Sequence, residues 1–580
     1  MMGFLIKYSD FYRTHVPENP IELLLDIPKG ELIATIGAVN SRLKPFTSNN
    51  FDDSRETQIE CLRTIFLDNN NPITQSICLP IIKKIIQRPV NNIFFSRVTC
   101  LFALQEIINY DSFAEATPEY NFENRERIFK YLLIANDQIL TGDKNYKEEG
   151  YQKLGNDFFE FFMFRELHHN QYNQCSNAIN IFYKSFYLFN KIESDDFFGQ
   201  HFINYLTWRY NVESINDFLK HIIWTFIKSY DENLNLRYIN VPKDNIQAIE
   251  ILDMFSSKVA YKVPEKDDLK LFDFFPLKKS PLYKGEVNDD KEIVSYILMD
   301  EGFYIEKAYS IFINDFWFDY LKPNQICERK DWGNFVGAKF YEPFIEEILK
   351  ESFLNSPNII LKSANQLLFN IGEGLIEYAD FYVREKQNVA LFEVKSGFIP
   401  LDHGYKTVQS LEDYYSLDLD KFNKDYGLTQ LAEKTIKKFH LYKTNILDPN
   451  FNFNRKVQIY PVLVVNDPII SSSIVTFVLK RKFTDLLKIQ KIEKKTKEHN
   501  IKDLCILNLS HLQEMEQYSK DNKINFFKIL DLYLEMSDYN NKNNFKDFKF
   551  LRTFDHVLNA RVKDDLIAKR IKTISNWLGD

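Results

Sequence analysis

A chain of 580 residues, 45% hydrophobic and 27% charged, is long enough for two or three separate cores and has the composition of ordinary folded domains. A net charge of −8 excludes a protein that coats nucleic acid with its whole surface. Six cysteines without CxxC spacing exclude a structural zinc site and a disulfide framework and point to a reducing, cytoplasmic setting.

In chain order, residues 1–232 predict an α-helical domain. Apolar residues recur at three- and four-residue spacings over Glu56–Leu67, Ile73–Ile86 and Phe94–Ile108, then over Arg125–Asn136, Tyr151–Leu167, Ala178–Ile192 and Ser214–Tyr230. Turn signals at Asn69–Pro72 and Arg88–Pro89 separate the first three, a helical-repeat-like arrangement without a fixed period. Residues 233–330 read as a linker-like segment carrying Pro242, Pro264, Pro276 and Pro281, followed by a helical stretch from Ile293 to Tyr320.

From 331 the pattern becomes α/β. A helix is expected over Phe335–Phe353, strands over Leu375–Val383 and Val389–Val394, and a helix over Thr429–Tyr442. A strand follows over Gln458–Val465, then a basic helix over Phe483–Glu498, a strand over Leu504–Leu509 and a helical tail over 521–580. The apolar stretch Ile459–Leu479 is broken by Asn466, Asp467 and Pro468, and the run before Lys7 is too short for a secretory signal, so no membrane partner is expected. Residues 421–500 hold 16 Lys and Arg against 7 Asp and Glu, a net of +9, which reads either as a phosphate-contacting face or as a solvated helical surface.

The most informative segment is Asn388–Lys395. Apolar residues on both parities mark a central strand covered on both faces, and Glu393 and Lys395, two residues apart, share one face near its end. A simple salt bridge between them is the structural explanation. The preceding strand adds Asp380. With the hairpin turning between Lys386 and Gln387, Asp380 falls directly opposite Glu393, where like charges are destabilising. Two carboxylates and one lysine in an apolar sheet are relieved by a divalent cation, and carboxylate oxygens suit Mg²⁺, with Mn²⁺ as a substitute. A lysine beside two carboxylates stays protonated, which suits an electrostatic role.

This constellation resembles the PD-(D/E)XK phosphodiesterase superfamily, the restriction-endonuclease-like fold, over residues 331–520. Ala379 stands where the motif's name has proline. Over 331–520 the resemblance implies a restriction-endonuclease-like α/β domain with a mixed central sheet, which the apolar patterning sets between a mostly α-helical N-terminal part and a helical tail in a multidomain protein. It implies metal binding by Asp380 and Glu393, with Lys395 as the catalytic lysine. It also implies a third metal ligand on the helix before the hairpin, Glu342 in preference to Glu346, with Pro343 suggesting a helix start, and a further catalytic-site residue, Gln430, at the opening of the following helix. The expected function is Mg²⁺-dependent endonucleolytic hydrolysis of nucleic acid, DNA ahead of RNA. The helical region would serve for regulation, homodimer formation or a partner protein, in a setting such as anti-phage defence. The alternative is a nucleic-acid-binding module that does not cut, carried on a helical scaffold. Neither GxxxxGK[ST] nor GxGxxG is present, and His168–His169 is a poor metal pair because adjacent helical residues diverge.

Overall fold

The structure, a computed structural model, describes residues 3–44, 51–67, 71–88, 91–114, 121–139, 154–173, 177–229, 238–256, 274–288, 292–370, 375–399, 403–408, 410–437, 439, 448, 451, 455–520, 525–559 and 565–578. Asn69–Asn70, Pro89, Tyr151, Tyr230, Pro264 and Tyr442, which figure in the expected elements, lie outside these residues. The chain is mixed α/β and divides into two compact units: Met1–Glu148 with Cys175–Ile326 and Ile574–Asp580, and Glu149–Gln174 with Cys327–Thr573.

In the first unit helices span Lys29–Arg42, Arg55–Phe66, Pro72–Ile86, Arg97–Asn109 and Phe122–Ile139, then Ala178–Glu193, Phe198–Tyr210 and Ile215–Ser229. Side-chain oxygens of Ser54, Asn71, Ser96 and Asn177 accept the amide three residues on and fix several starts. The helix expected from Phe94 begins at Arg97 instead, because the Gln58 side chain takes the amides of Phe94 and Phe95 at 2.8 and 2.9 Å. Two sequence expectations are corrected further on. The linker-like segment contributes strands Tyr238–Pro242 and Leu282–Asn288, and the stretch expected as helix opens with the strand Ile293–Leu298 between them in an antiparallel sheet. The apolar character of Ile293–Leu298 fits either period. It is β because it pairs with Tyr238–Pro242 on one side and Leu282–Asn288 on the other; Asp300 then caps the next helix through the Phe303 amide at 2.6 Å while pairing with buried Arg97 at 2.6 Å.

The second unit is built on one sheet. Its strands are β1 (Ile359–Ser363), β2 (Phe381–Glu385), β3 (Asn388–Lys395), β4 (Val457–Val465), β5 (His499–Ile501) and β6 (Cys505–Asn508). The order is β5-β4-β3-β2-β1, with β6 also on β4; β1, β2 and β3 are antiparallel neighbours, while β4 runs parallel to β3, β5 and β6. Its main helices are α1 (Phe158–Asn173), α2 (Glu342–Phe353), α3 (Ser473–Ile489), α4 (Leu509–Lys520) and α5 (Phe526–Met536). Six of eight residues in β3 and eight of nine in β4 are buried, as expected for central strands covered on both faces. Phe526 of α5 stacks on Phe392 of β3 at 6.3 Å, so the tail helps cover the sheet. α1 belongs here because Phe159 meets Phe477 at 5.0 Å and Phe164 meets Phe422 at 5.0 Å and Tyr405 at 5.9 Å.

Several local expectations change. The strand expected over Leu375–Val383 is two pieces: Leu375–Glu377 pairs with Leu368–Asn370, and β2 starts only at Phe381. The basic helix expected over Phe483–Glu498 is α3, which starts ten residues earlier and ends at Ile489. Pro343 stands in the first turn of α2, which begins at Glu342 as expected, but the backbone before it is already helical. Helical backbone runs continuously from Arg329 to Phe353, and a π-helical segment, Phe335–Tyr341, precedes α2. In the first turn of α2 the missing N–H of Pro343 is tolerated.

Candidate active site

The hairpin register brings the two carboxylates together. β2 and β3 pair Glu385 with Asn388 through to Phe381 with Phe392, and the next pair outward is Asp380 with Glu393. At that point the ladder changes character. The Asp380 amide still donates to Phe392 O at 3.2 Å, but the Val394 amide donates to Asp380 Oδ2 at 2.5 Å. The aspartate side chain thus replaces a backbone acceptor at the end of the pairing, which holds it against β3.

Glu393 is 2% exposed and Asp380 9% exposed, so both carboxylates sit at the edge of the core rather than in water. Lys395 Nζ lies 2.7 Å from Glu393 Oε1 and donates to Gln430 Oε1 at 3.0 Å. Its side chain keeps partial contact with solvent. Asp380 has a carboxyl well above the usual carboxylate range. Burial is the main cause, followed by the Glu393 charge and a hydrogen bond shared with Glu377; the Val394 amide opposes the shift and Glu342 adds to it. Glu342 is also raised, by burial and then by Glu377, with Lys395 pulling it down. Glu346 instead pairs with Lys350 at 2.7 Å along the helix surface. The structure therefore gathers Asp380, Glu393, Lys395, Gln430 and Glu342 around one end of β3 and leaves Glu346 outside.

Three contributors were not singled out in the sequence. Glu377 shares its hydrogen bond with Asp380 from the short strand before the hairpin. Gly427 has φ +78°, and a Cβ there would lie 2.8 Å from Lys395 Cε and 2.9 Å from Glu393 Cγ. It lets the turn into the helix carrying Gln430 press directly on both side chains; the only sequence signal was a glycine just before that helix. The third is Gly337 in the π-helical segment, where a Cβ would come 2.9 Å from Ser396 Oγ beyond the end of β3. Asn466, following β4, closes the strand ends through its amide to Lys395 O at 2.9 Å and its Nδ2 to Ser396 O at 3.0 Å.

The carboxylates offer hard oxygen donors of the kind Mg²⁺ and Mn²⁺ prefer. Glu393 already gives one oxygen to Lys395, and among the described residues no three His, Cys, Asp or Glu side chains form a group that could hold a metal ion. With only these carboxylates as donors, a hard cation held here would have to complete its coordination with water or other outside oxygens. The chain matches no protein-family model, no curated protein and no solved structure.

Proposed function

We propose that the second unit is a metal-dependent nuclease of the restriction-endonuclease-like type that hydrolyses phosphodiester bonds, with DNA its preferred substrate. The observation that carries this reading is the opposition of Asp380 and Glu393 at the end of an apolar hairpin, with Lys395 joined to both Glu393 and Gln430. An isolated structural salt bridge needs one carboxylate for one lysine. The second carboxylate adds repulsion that folding alone gives no reason to keep. The mixed sheet, with β2 and β3 antiparallel and β4 parallel to β3, supports the same class.

In this reading Asp380 and Glu393 would hold Mg²⁺ or Mn²⁺, with Glu342 close enough to add electrostatic support. The cation supplies Lewis-acid activation of a phosphodiester and of water when bound. Lys395, held by Glu393 and Gln430, would face the charge that develops on the phosphate as it is attacked. Gln430 fixes the lysine head laterally, and Gly427 leaves no room for it to retreat toward the helix. Incubating supercoiled plasmid and a long RNA with the protein in Mg²⁺, Mn²⁺ or EDTA tests this directly. Metal-dependent cutting that Lys395→Ala and Asp380→Ala abolish is expected; cutting that survives both puts the chemistry elsewhere.

A further inference from the structure

Resting on the nucleic-acid reading above, we propose that the lysine-lined depression at the C-terminal end of α3 is a second contact site, which anchors the phosphate backbone of duplex DNA away from the carboxylates. The depression is an open cavity of about 590 Å³, and Lys488, Lys491, Lys494 and Lys495 all line it, with Glu493 the acidic residue in its lining. Two of these lysines are already committed. Lys488 pairs with Asp485 at 2.9 Å, and Lys494 pairs with Asp503 at 2.5 Å and donates to Thr484 at 2.8 Å. Lys491 and Lys495 are exposed and, among the described residues, make no ion pair.

The backbone gives an independent reason to attend to Lys491. α3 ends in a Schellman closure, with the Ile492 amide donating to Leu487 O at 2.8 Å and the Lys491 amide to Lys488 O at 2.9 Å. Lys491 is the left-handed residue of that closure, at φ 54°, where glycine is the residue without steric cost. A lysine here adds strain and places an unpaired ammonium at the rim of the cavity. A cation near a helix C-terminus also meets the helix dipole, but any lysine of the last turn would do that without adopting the left-handed conformation.

One hydrogen bond links the residue before Lys491 to the helix of the candidate active site. Gln490 Nε2 donates to Glu433 Oε1 at 2.9 Å, and Glu433 lies in the π-helical segment Gln430–Ile436 that begins with the partner of Lys395. Phosphate held at the depression is thereby tied to the element that positions the lysine. Lysines act as point charges without base readout, so the contact is independent of sequence, and complementary charge favours a polyanion with regularly spaced phosphates.

The test uses the full chain in EDTA and measures fluorescence anisotropy of a labelled duplex of about 30 base pairs over a range of NaCl concentrations. Lys491→Gly removes the charge and supplies the residue the backbone prefers, so its melting temperature should be equal or higher. Lys495→Gln removes the second charge. The double variant is expected to bind roughly tenfold more weakly at about 0.1 M salt, with a log–log salt slope shallower by about 2. Unchanged affinity and slope in the double variant, with wild type binding, overturn this site while leaving the nuclease reading intact. Absence of salt-dependent duplex binding by wild type overturns both.

Discussion

Substituting alanine for Gly427 tests how tightly the candidate active site is built. The new Cβ would stand 2.8 Å from Lys395 Cε and 2.9 Å from Glu393 Cγ, whereas carbon atoms rest comfortably at about 3.5–4.0 Å. One side or the other must yield by roughly 1 Å. Lys395 is restrained by Glu393 and Gln430, and Glu393 is buried, so the displacement falls on groups with little freedom. Overpacking of this kind costs about 1–3 kcal/mol, and the left-handed backbone at φ +78° adds about 1–2 kcal/mol for a residue with a Cβ. A displacement of about 1 Å in a reacting group can cost about a hundredfold in rate. Urea unfolding and Mg²⁺-dependent plasmid nicking, measured side by side, should show both losses. Gly397→Ala is the control, since a Cβ there meets nothing within 4 Å. A Gly427→Ala protein that cuts at the wild-type rate with an unchanged unfolding midpoint would refute the close packing of this turn against the lysine.

Three further outcomes are expected. Asp380→Asn keeps an oxygen for the Val394 amide but removes a buried charge that burial and Glu393 disfavour; it should melt higher than wild type in EDTA, and Mg²⁺ should raise its melting temperature less than it raises that of wild type. Because the folded-state pKa of Asp380 is raised, this site costs stability once the pH exceeds the unfolded value near 4, so the advantage of the variant should vanish in acid. Lys480 is buried against the Tyr533 ring, and burial pushes its pKa down to about 8. The depressed value adds stability only as pH rises from about 8 towards the unfolded value near 10.4, so Lys480→Met should be more stable by about 3 kcal/mol at pH 7 and by about 2 kcal/mol at pH 9 in urea melts. In the first unit, Arg97→Ala leaves Asp300 buried without its bidentate partner and should cost about 3–5 kcal/mol by the same assay, well beyond a surface substitution.

The central hairpin was legible because its physics is local. A run apolar on both parities demands a covered strand, and a hairpin centred between Lys386 and Gln387 fixes which residues face each other. The pairing of Phe381 with Phe392 has that register. Short edge elements were not legible, since Ile359–Ser363 and His499–Ile501 offer too few residues for a period to emerge. Nor were the π-helical segments at Phe335–Tyr341 and Gln430–Ile436, whose apolar spacing mimics an α-helix until tertiary packing selects the wider turn. Leu375–Val383 read as one strand because its apolar pattern continues through Tyr378 and Ala379; the break that frees Asp380 and brings Glu377 to it depends on a neighbouring strand, Leu368–Asn370. The assignment of α1 to the second unit follows from aromatic contacts with Tyr405, Phe422 and Phe477, more than 230 residues away in the chain, which no local window contains.

The most direct measurement of the central claim is single-turnover cleavage of end-labelled duplex DNA in Mn²⁺ by wild type, Asp380→Asn and Lys395→Met, each first shown to be folded by circular dichroism. Metal-dependent cleavage by wild type, reduced roughly a thousandfold or more in both variants, is the expected result. Cleavage by either folded variant at the wild-type rate would contradict the assignment of these residues to the chemistry.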